Sequence, residues 1–372
     1  MARRTQGEGS VYMRKDGRAA ASAIVEGKRI TKYGKTKTEA RQKLDAYLDD
    51  LRQGKVVVGP KQTVKQYLTH WLENVHRLEI ELTSLECYRS ILRTHLLPAF
   101  GHLQLNQLTR ERIQVFCVEK LDAGLSLSWI GQIHALLSAA LKDAVIHRVL
   151  ASNPCEYVKL PKRKKRKPYI LTPDECIRLV EAARGRRLWF LILVGLTTGA
   201  RVGELCALHW EDIDLNNLRI HIHRNCARVK GLGIIEKQPK SRSGFRRVIL
   251  SQAVIAGIKE QRVYIEDLRR RAGARWRNLD LVFPNKYGSH LDRKSVLDEL
   301  RVILIRLGID PKMRFHDLRH SAATLLFAAG VNPKVVSEAL GHSSIAITLE
   351  MYGDVTPDMQ QGVADIMNRL FD

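Results

Sequence analysis

The sequence predicts a multidomain protein, mainly α with small sheets: a small β-sheet plus helix at the N-terminus, a helical domain, and a larger α+β domain. Three observations predict this. The 372 residues exceed what one ordinary core holds, since domains run to about 100–200 residues. Hydrophobic residues make up 45% and charged residues 27%, a globular balance. Apolar residues alternate strand-like near the N-terminus, recur at helical spacing through the middle, and mix both patterns later.

The first domain spans residues 1–58. Strands are expected over Ser10 to Arg14, Ala19 to Val25 and Arg29 to Tyr33. Turns fall at Lys15-Asp16-Gly17-Arg18 and Glu26-Gly27-Lys28. A helix follows from about Thr38 to Leu51. Residues 1–61 hold 15 Lys and Arg against 7 Asp and Glu, a net +8 that points to phosphate contact over a merely solvated basic face.

After a linker from Gly54 to Lys61, residues 62–150 read as a compact helical domain. Val64, Leu68, Trp71 and Leu72 fall at helical spacing, as do Ile130, Ile133, Leu137 and Leu141. Pro98 and Gly101 in Leu96 to His102 should break the helices. This stretch has no catalytic constellation of its own. Residues 159–168 form a basic linker with six consecutive cations, Lys162 to Lys167, read as a strap across phosphates in preference to a nuclear localisation signal.

The last domain spans residues 169–372. Thr172 can cap a helix whose first turn accepts Pro173. Leu188 to Leu196 reads as a buried helix, and strands are expected at Leu218 to His223 and Arg246 to Leu250. Helices resume from about Lys294 to the end.

The excess of 62 Lys and Arg over 39 Asp and Glu gives +23. Such a field attracts polyanions and releases counterions from a phosphate backbone, so nucleic acid is the leading partner. No apolar run approaches a membrane span, and Met1 to Ser10 lacks the pattern of a secretory signal. A cytoplasmic protein without membrane attachment is expected. Cys87, Cys117, Cys155, Cys176, Cys206 and Cys226 are scattered, with no Cys-x-x-Cys pair for zinc, and read as reduced, mostly buried thiols.

Cleaving a phosphodiester without a metal requires cations for the nonbridging oxygens, a nucleophile, and a proton donor for the leaving oxygen. The last domain holds candidates for each. Arg201 lies in a turn entering a helix, Thr197-Thr198-Gly199-Ala200-Arg201. His316 and Arg319 are three residues apart and share a helical face. His342 follows in Leu340-Gly341-His342-Ser343-Ser344, and Tyr352 comes ten residues later. Singly, each is an ordinary surface or packing residue; the order Arg, His-x-x-Arg, His, Tyr is specific. Glu204 and Asp317 read as orienting groups, and His320 and Tyr287 as structural.

With these residues the chain resembles the tyrosine recombinases, the phage integrase family, in the three-domain form. Residues 169–372 resemble the catalytic domain, 62–150 the helical core-binding domain, and 7–55 the arm-type DNA-binding domain. The resemblance implies that Arg201 and Arg319 clamp the scissile phosphate, that His316 and His342 are the two histidines, and that Tyr352 is the nucleophile. The lysine of the family's strand turn corresponds to Lys240, which precedes the strand at Arg246 and is favoured over Lys237. It also implies a site-specific recombinase that integrates or excises a phage or mobile element, with no cofactor and no metal. The implied partners are double-stranded DNA attachment sites, three further copies in a homo-tetramer on synapsed DNA, and host DNA-bending and directionality factors. A bacterial host is implied too.

Three departures stand out. Ala19-Ala20-Ala21 replaces an aromatic residue common on the second strand, Asp354 stands where a histidine often follows the tyrosine, and Val202 replaces a frequent basic residue. Val363, Ile366, Met367, Leu370 and Phe371 form an apolar stripe behind Tyr352. It is expected to pack on a neighbouring subunit in preference to its own domain. The rival readings are a type IB topoisomerase and a non-enzymatic DNA-binding protein on a dead recombinase scaffold.

Overall fold

The computed structural model describes residues 9–25, 28–52, 62–162, 166–239, 242–341 and 344. The chain forms two compact units, residues 1–165 and 166–372.

The first unit opens with an antiparallel sheet in the order β1 (Ser10–Met13), β2 (Ala19–Val25), β3 (Lys28–Gly34). α1 (Lys37–Arg52) covers one face. Ala19, Ala21 and Ala23 of β2 pack against Ala40 and Leu44, with Val11, Ile30 and Leu48 at the margin. The run of alanines therefore has a packing reason: small side chains let the helix lie close to the central strand. On the other face, the strand register places Ala20 between Tyr12 and Tyr33. The aromatic residues stand on the outer strands instead of the middle one.

The same unit holds a separate helical core. α2 (Val64–His70) is capped by Thr63, whose side chain accepts the Gln66 N–H while the Gln66 side chain returns the bond. It continues through a π-turn at Trp71–Val75. α3 (Leu82–Ile91), a second π-segment (Leu92–Leu96) and α4 (Leu97–Phe100) form one unbroken run. α5 (Arg110–Asp122) and α6 (Leu127–Ile146) complete the group, capped by Thr109 and Ser126. All eight apolar positions that the spacing singled out are buried.

The helix break expected within Leu96 to His102 falls at Gly101, but not at Pro98, past which the helix runs on. The π-segment shifts the bonding register just before the proline, easing its ring against the preceding turn and absorbing its missing N–H.

The second unit begins with α7 (Pro173–Ala183), where Thr172 caps and Pro173 occupies the first turn as expected. α8 (Trp189–Thr198) is sheathed on all sides, with Trp189 to Gly195 buried. α9 (Val202–Leu205) follows. β4 (Ile213–Asp214) and β5 (Arg219–Ile222) join β8 (Arg246–Ile249) in an antiparallel sheet, and β6 (Asn225–Val229) pairs with β7 (Gly233–Lys237) as a hairpin between them. Then come α10 (Gln252–Ala272), α11 (Arg293–Arg306), α12 (Phe315–Ala328) and α13 (Pro333–Leu340). α12 crosses α8 closely: a Cβ on Gly195 would come within 3.0 Å of the Phe315 ring. That packing brings the ends of the two helices together.

Cys117, Cys155, Cys206 and Cys226 are buried free thiols, and Cys87 and Cys176 are half-buried free thiols. Among the described residues no helix is long and apolar enough to cross a membrane.

Candidate active site

The site is built where α8, α9, α12 and α13 end or begin. α8 closes on Gly199 in the left-handed region (φ +61°), where a Cβ would stand 2.2 Å from Leu340 Cδ2. Conformation and space both demand glycine there. Thr198 Oγ1 donates to the Val194 carbonyl at 2.6 Å and accepts the Ala200 N–H at 3.2 Å, fixing the turn that delivers Arg201 to the start of α9.

Glu204, in the first turn of α9, is buried and accepts from two arginines. The Arg201 backbone N–H and Nη1 each donate to it at 2.8 Å. From β8, Arg246 Nη2 donates to Oε2 at 2.8 Å and Nη1 to Oε1 at 3.3 Å. Burial works to raise the Glu204 pKa, but Arg246 first and Arg201 second outweigh it and hold the carboxyl below its ordinary range. The Arg246 side chain is 5% exposed and that of Arg201 42%. Arg246 is thus the internal counter-charge, and Arg201 the cation presented to solvent.

On α12, Arg319 is 2% exposed. Its Nη1 donates to the Gly199 carbonyl at 2.9 Å and to the Leu340 carbonyl at 2.5 Å. His316, one turn earlier, is exposed. Although one edge of the ring meets solvent, the protein packed around the rest strips hydration and pushes its pKa down to about 4, with the neighbouring His320, Arg319 and Arg201 adding to the fall. The His320 ring stands edge-on to that of His316, with centroids 4.9 Å apart. Asp317 is buried and accepts the Arg314 N–H at 2.9 Å, securing the helical turn that carries His316.

Three successive carbonyls at the end of α13 each receive a different arginine. Arg246 Nε reaches Ala339 at 3.0 Å, Arg319 reaches Leu340, and Arg201 Nη2 reaches Gly341 at 3.4 Å. The negative end of a helix suits cations. Gly341 is again left-handed (φ +72°), and a Cβ there would come within 2.4 Å of the Ser243 carbonyl oxygen. The segment just after Lys240 therefore lies against the residue just before His342.

Of the six residues singled out in the sequence, the structure brings Arg201, His316 and Arg319 into one cluster. Lys240, His342 and Tyr352, and the apolar stripe of the tail, lie outside the described residues. Lys237, the alternative lysine, ends β7. Arg246 was missed by the sequence reading, where it passed as the first residue of a strand; the only local signal was an arginine pair, Arg246-Arg247, entering the strand soon after Ser243-Gly244. With His316 exposed and the Arg201 side chain 42% exposed, the two guanidinium groups and the imidazole supply donors of the kind that suit an oxyanion.

Residues 170–359 match the phage integrase family, and residues 63–121 match the phage integrase N-terminal SAM-like domain. The chain is 32% identical to a XerC-like tyrosine recombinase of Caldanaerobacter subterraneus, over 93% of each chain. It is 30% identical to an integrase of Streptomyces ambofaciens, over 99% of this chain and 98% of that one. Among solved structures, the Tn1549 transposon integrase in complex with transposon right end DNA has a TM-score of 0.70 at 21% identity, covering 84% of this chain and 100% of that one. The lambda integrase tetramer bound to a Holliday junction has a TM-score of 0.57 at 17% identity, covering 94% and 96%. These last two are likenesses of fold. The matched family and the full-length relatives point away from both rival readings, and the chain belongs to the phage integrase family, as a tyrosine-type site-specific DNA recombinase that acts as an integrase of mobile elements.

Proposed function

We propose that this recombinase cuts each DNA strand by transesterification at Tyr352. The tyrosine oxygen attacks phosphorus, the bond to the 5′ oxygen breaks, and a 3′-phosphotyrosyl link forms. His316 accepts the tyrosine proton, and Lys240 donates one to the leaving oxygen. Arg201 and Arg319 neutralise the charge that grows on the nonbridging oxygens, while His342 hydrogen-bonds the phosphate. Attack by a 5′-hydroxyl on the phosphotyrosyl bond reverses the step and joins the exchanged strands.

A single observation carries this reading. Arg201 and Arg319, far apart in sequence, donate to the carbonyls of adjacent residues, Gly341 and Leu340, directly ahead of His342. A neutral His316 beside them is in the protonation state that can accept a proton.

In this reading residues 1–58 are the arm-type DNA-binding domain, 62–150 the core-binding domain, 159–168 a basic strap over phosphates, and 169–372 the catalytic domain. The substrate is a pair of double-stranded attachment sites held by a homo-tetramer in the bacterial cytoplasm, with host bending and directionality factors acting on the same DNA. The lambda integrase tetramer on a Holliday junction supports the assembly by analogy of fold.

The test is a suicide substrate, an attachment site nicked so that cleavage releases a short fragment and cannot reverse. Covalent protein–DNA adducts resistant to denaturant are expected with the wild type. Tight binding without any adduct would contradict the reading.

A further inference from the structure

Outside the arginine cluster, a second group of chemistry-bearing side chains converges in the same unit. His209 lies in the turn between α9 and β4, Glu236 on β7, and His290 before α11. His209 Nε2 stands 2.7 Å and His290 Nε2 2.6 Å from the same oxygen, Glu236 Oε1. The three potential ligand atoms all lie within 4.8 Å of one another. We propose that His209, Glu236 and His290 form a binding site for one divalent transition-metal ion of the zinc class.

Two imidazoles and a carboxylate are a donor set that zinc accepts, at roughly 2.0–2.2 Å each. Tetrahedral geometry at those lengths separates ligand atoms by about 3.3–3.5 Å. Opening the present hydrogen-bonded contacts to that spacing takes roughly 0.7 Å, and the two imidazole nitrogens already lie within 4.8 Å of each other. The metal would replace the two shared protons, leaving both rings as neutral donors to the ion. Exposures of 18% for His209, 27% for Glu236 and 15% for His290 leave room for water in a fourth position.

The backbone already holds the donors in place. His209 pairs with Leu281 and His290 with Pro284 in isolated antiparallel bridges. The His209 N–H is also taken by Asp212 at 2.9 Å. Glu236 sits in the β6–β7 register opposite Cys226. The three side chains come from stretches separated by 27 and 54 residues, so an ion here would cross-link the turn after α9, the hairpin and the segment before α11. Glu236 is four residues upstream of Lys240, on the strand that leads to it. The ion's role would be to stiffen that strand and not to touch the scissile phosphate.

The experiment uses the metal-stripped full-length chain, titrated with Zn2+ against a chromophoric chelator, and Co2+ as a spectroscopic probe. Wild type is expected to bind one more equivalent of Zn2+ than Glu236→Gln or His290→Gln, at least tenfold more tightly than any residual site. It should show a visible Co2+ ligand-field band that both variants lack, and a zinc-dependent rise in melting temperature. Glu236→Gln keeps a hydrogen-bond acceptor for both imidazoles, so it tests metal binding without emptying the cluster. Equal stoichiometry and affinity in wild type and both variants would overturn the proposal and leave a hydrogen-bonded cluster alone. No readout depends on DNA cleavage.

Discussion

Arg246 and Glu204 form an ion pair in which both side chains are 5% exposed, with Nη2 and Oε2 2.8 Å apart. Its consequence reaches the solvent-facing residue next to it, because Glu204 also fixes Arg201. Breaking a buried pair by removing one partner costs about 3–5 kcal/mol, largely because a charge is left uncompensated. Arg246→Ala is expected to destabilise the second unit by that order and to lower strand cleavage at temperatures where the protein remains folded. Arg246→Lys, which restores the charge but not the fork, should recover the melting temperature more fully than the cleavage rate. Identical recovery of both would show that Arg246 supports the fold without positioning Arg201.

Arg201→Lys separates charge from geometry. A lysine cannot bind Glu204, the Gly341 carbonyl and a phosphate in the planar arrangement that a guanidinium provides. Losing one preorganised donor to the transition state costs on the order of 10²–10³ in rate. Single-turnover cleavage should fall by that factor while the affinity for the attachment site changes little. An unchanged rate would remove Arg201 from the phosphate clamp.

His316 gives a pH test with a defined sign. Its pKa in the folded chain, about 4, lies below the ordinary histidine value, so the unfolded state binds a proton more readily. Stability from this group is therefore full above about pH 6.5 and declines as the pH falls toward 4. NMR titration of the His316 imidazole in the DNA-free protein, assigned with His316→Gln, should show it neutral at about pH 6. Titration at or above the ordinary value would contradict the crowded cationic setting described for it.

The apolar stripe after Tyr352 predicts a subunit contact. Truncation after Asp358 should abolish recombination between two sites while leaving binding to one site intact, measured by gel shift and by product formation in parallel. Unaffected recombination would sink that assignment.

Much of this architecture was legible in the sequence, for identifiable physical reasons. Helical spacing at Val64, Leu68 and Trp71 found a real buried face because one-sided burial imposes that period. Thr172-Pro173 marked a helix start because the cap and the fixed proline φ act locally. Arg201, His316 and Arg319 were legible from an ordered motif, and the structure brings them together. What stayed hidden depends on distant partners. The hairpin of β6 and β7 is short and half-buried, so its alternation is faint. Pro98 misled because the π-segment before it relieves the usual conflict. The alanines of β2 looked like a missing aromatic residue until the register placed Tyr12 and Tyr33 on either side of Ala20. Arg246 was invisible as a site residue because both of its partners, Glu204 and the Ala339 carbonyl, come from distant parts of the chain.

The central claim is that Tyr352 carries the covalent bond to DNA. The most direct measurement is to trap the adduct on the nicked site, digest it with trypsin and identify the peptide that retains a nucleotide. The nucleotide is expected on the peptide Val335 to Arg369, whose only tyrosine is Tyr352, with no adduct from Tyr352→Phe despite normal DNA binding. A nucleotide on any other peptide, or an adduct formed by Tyr352→Phe, would contradict it.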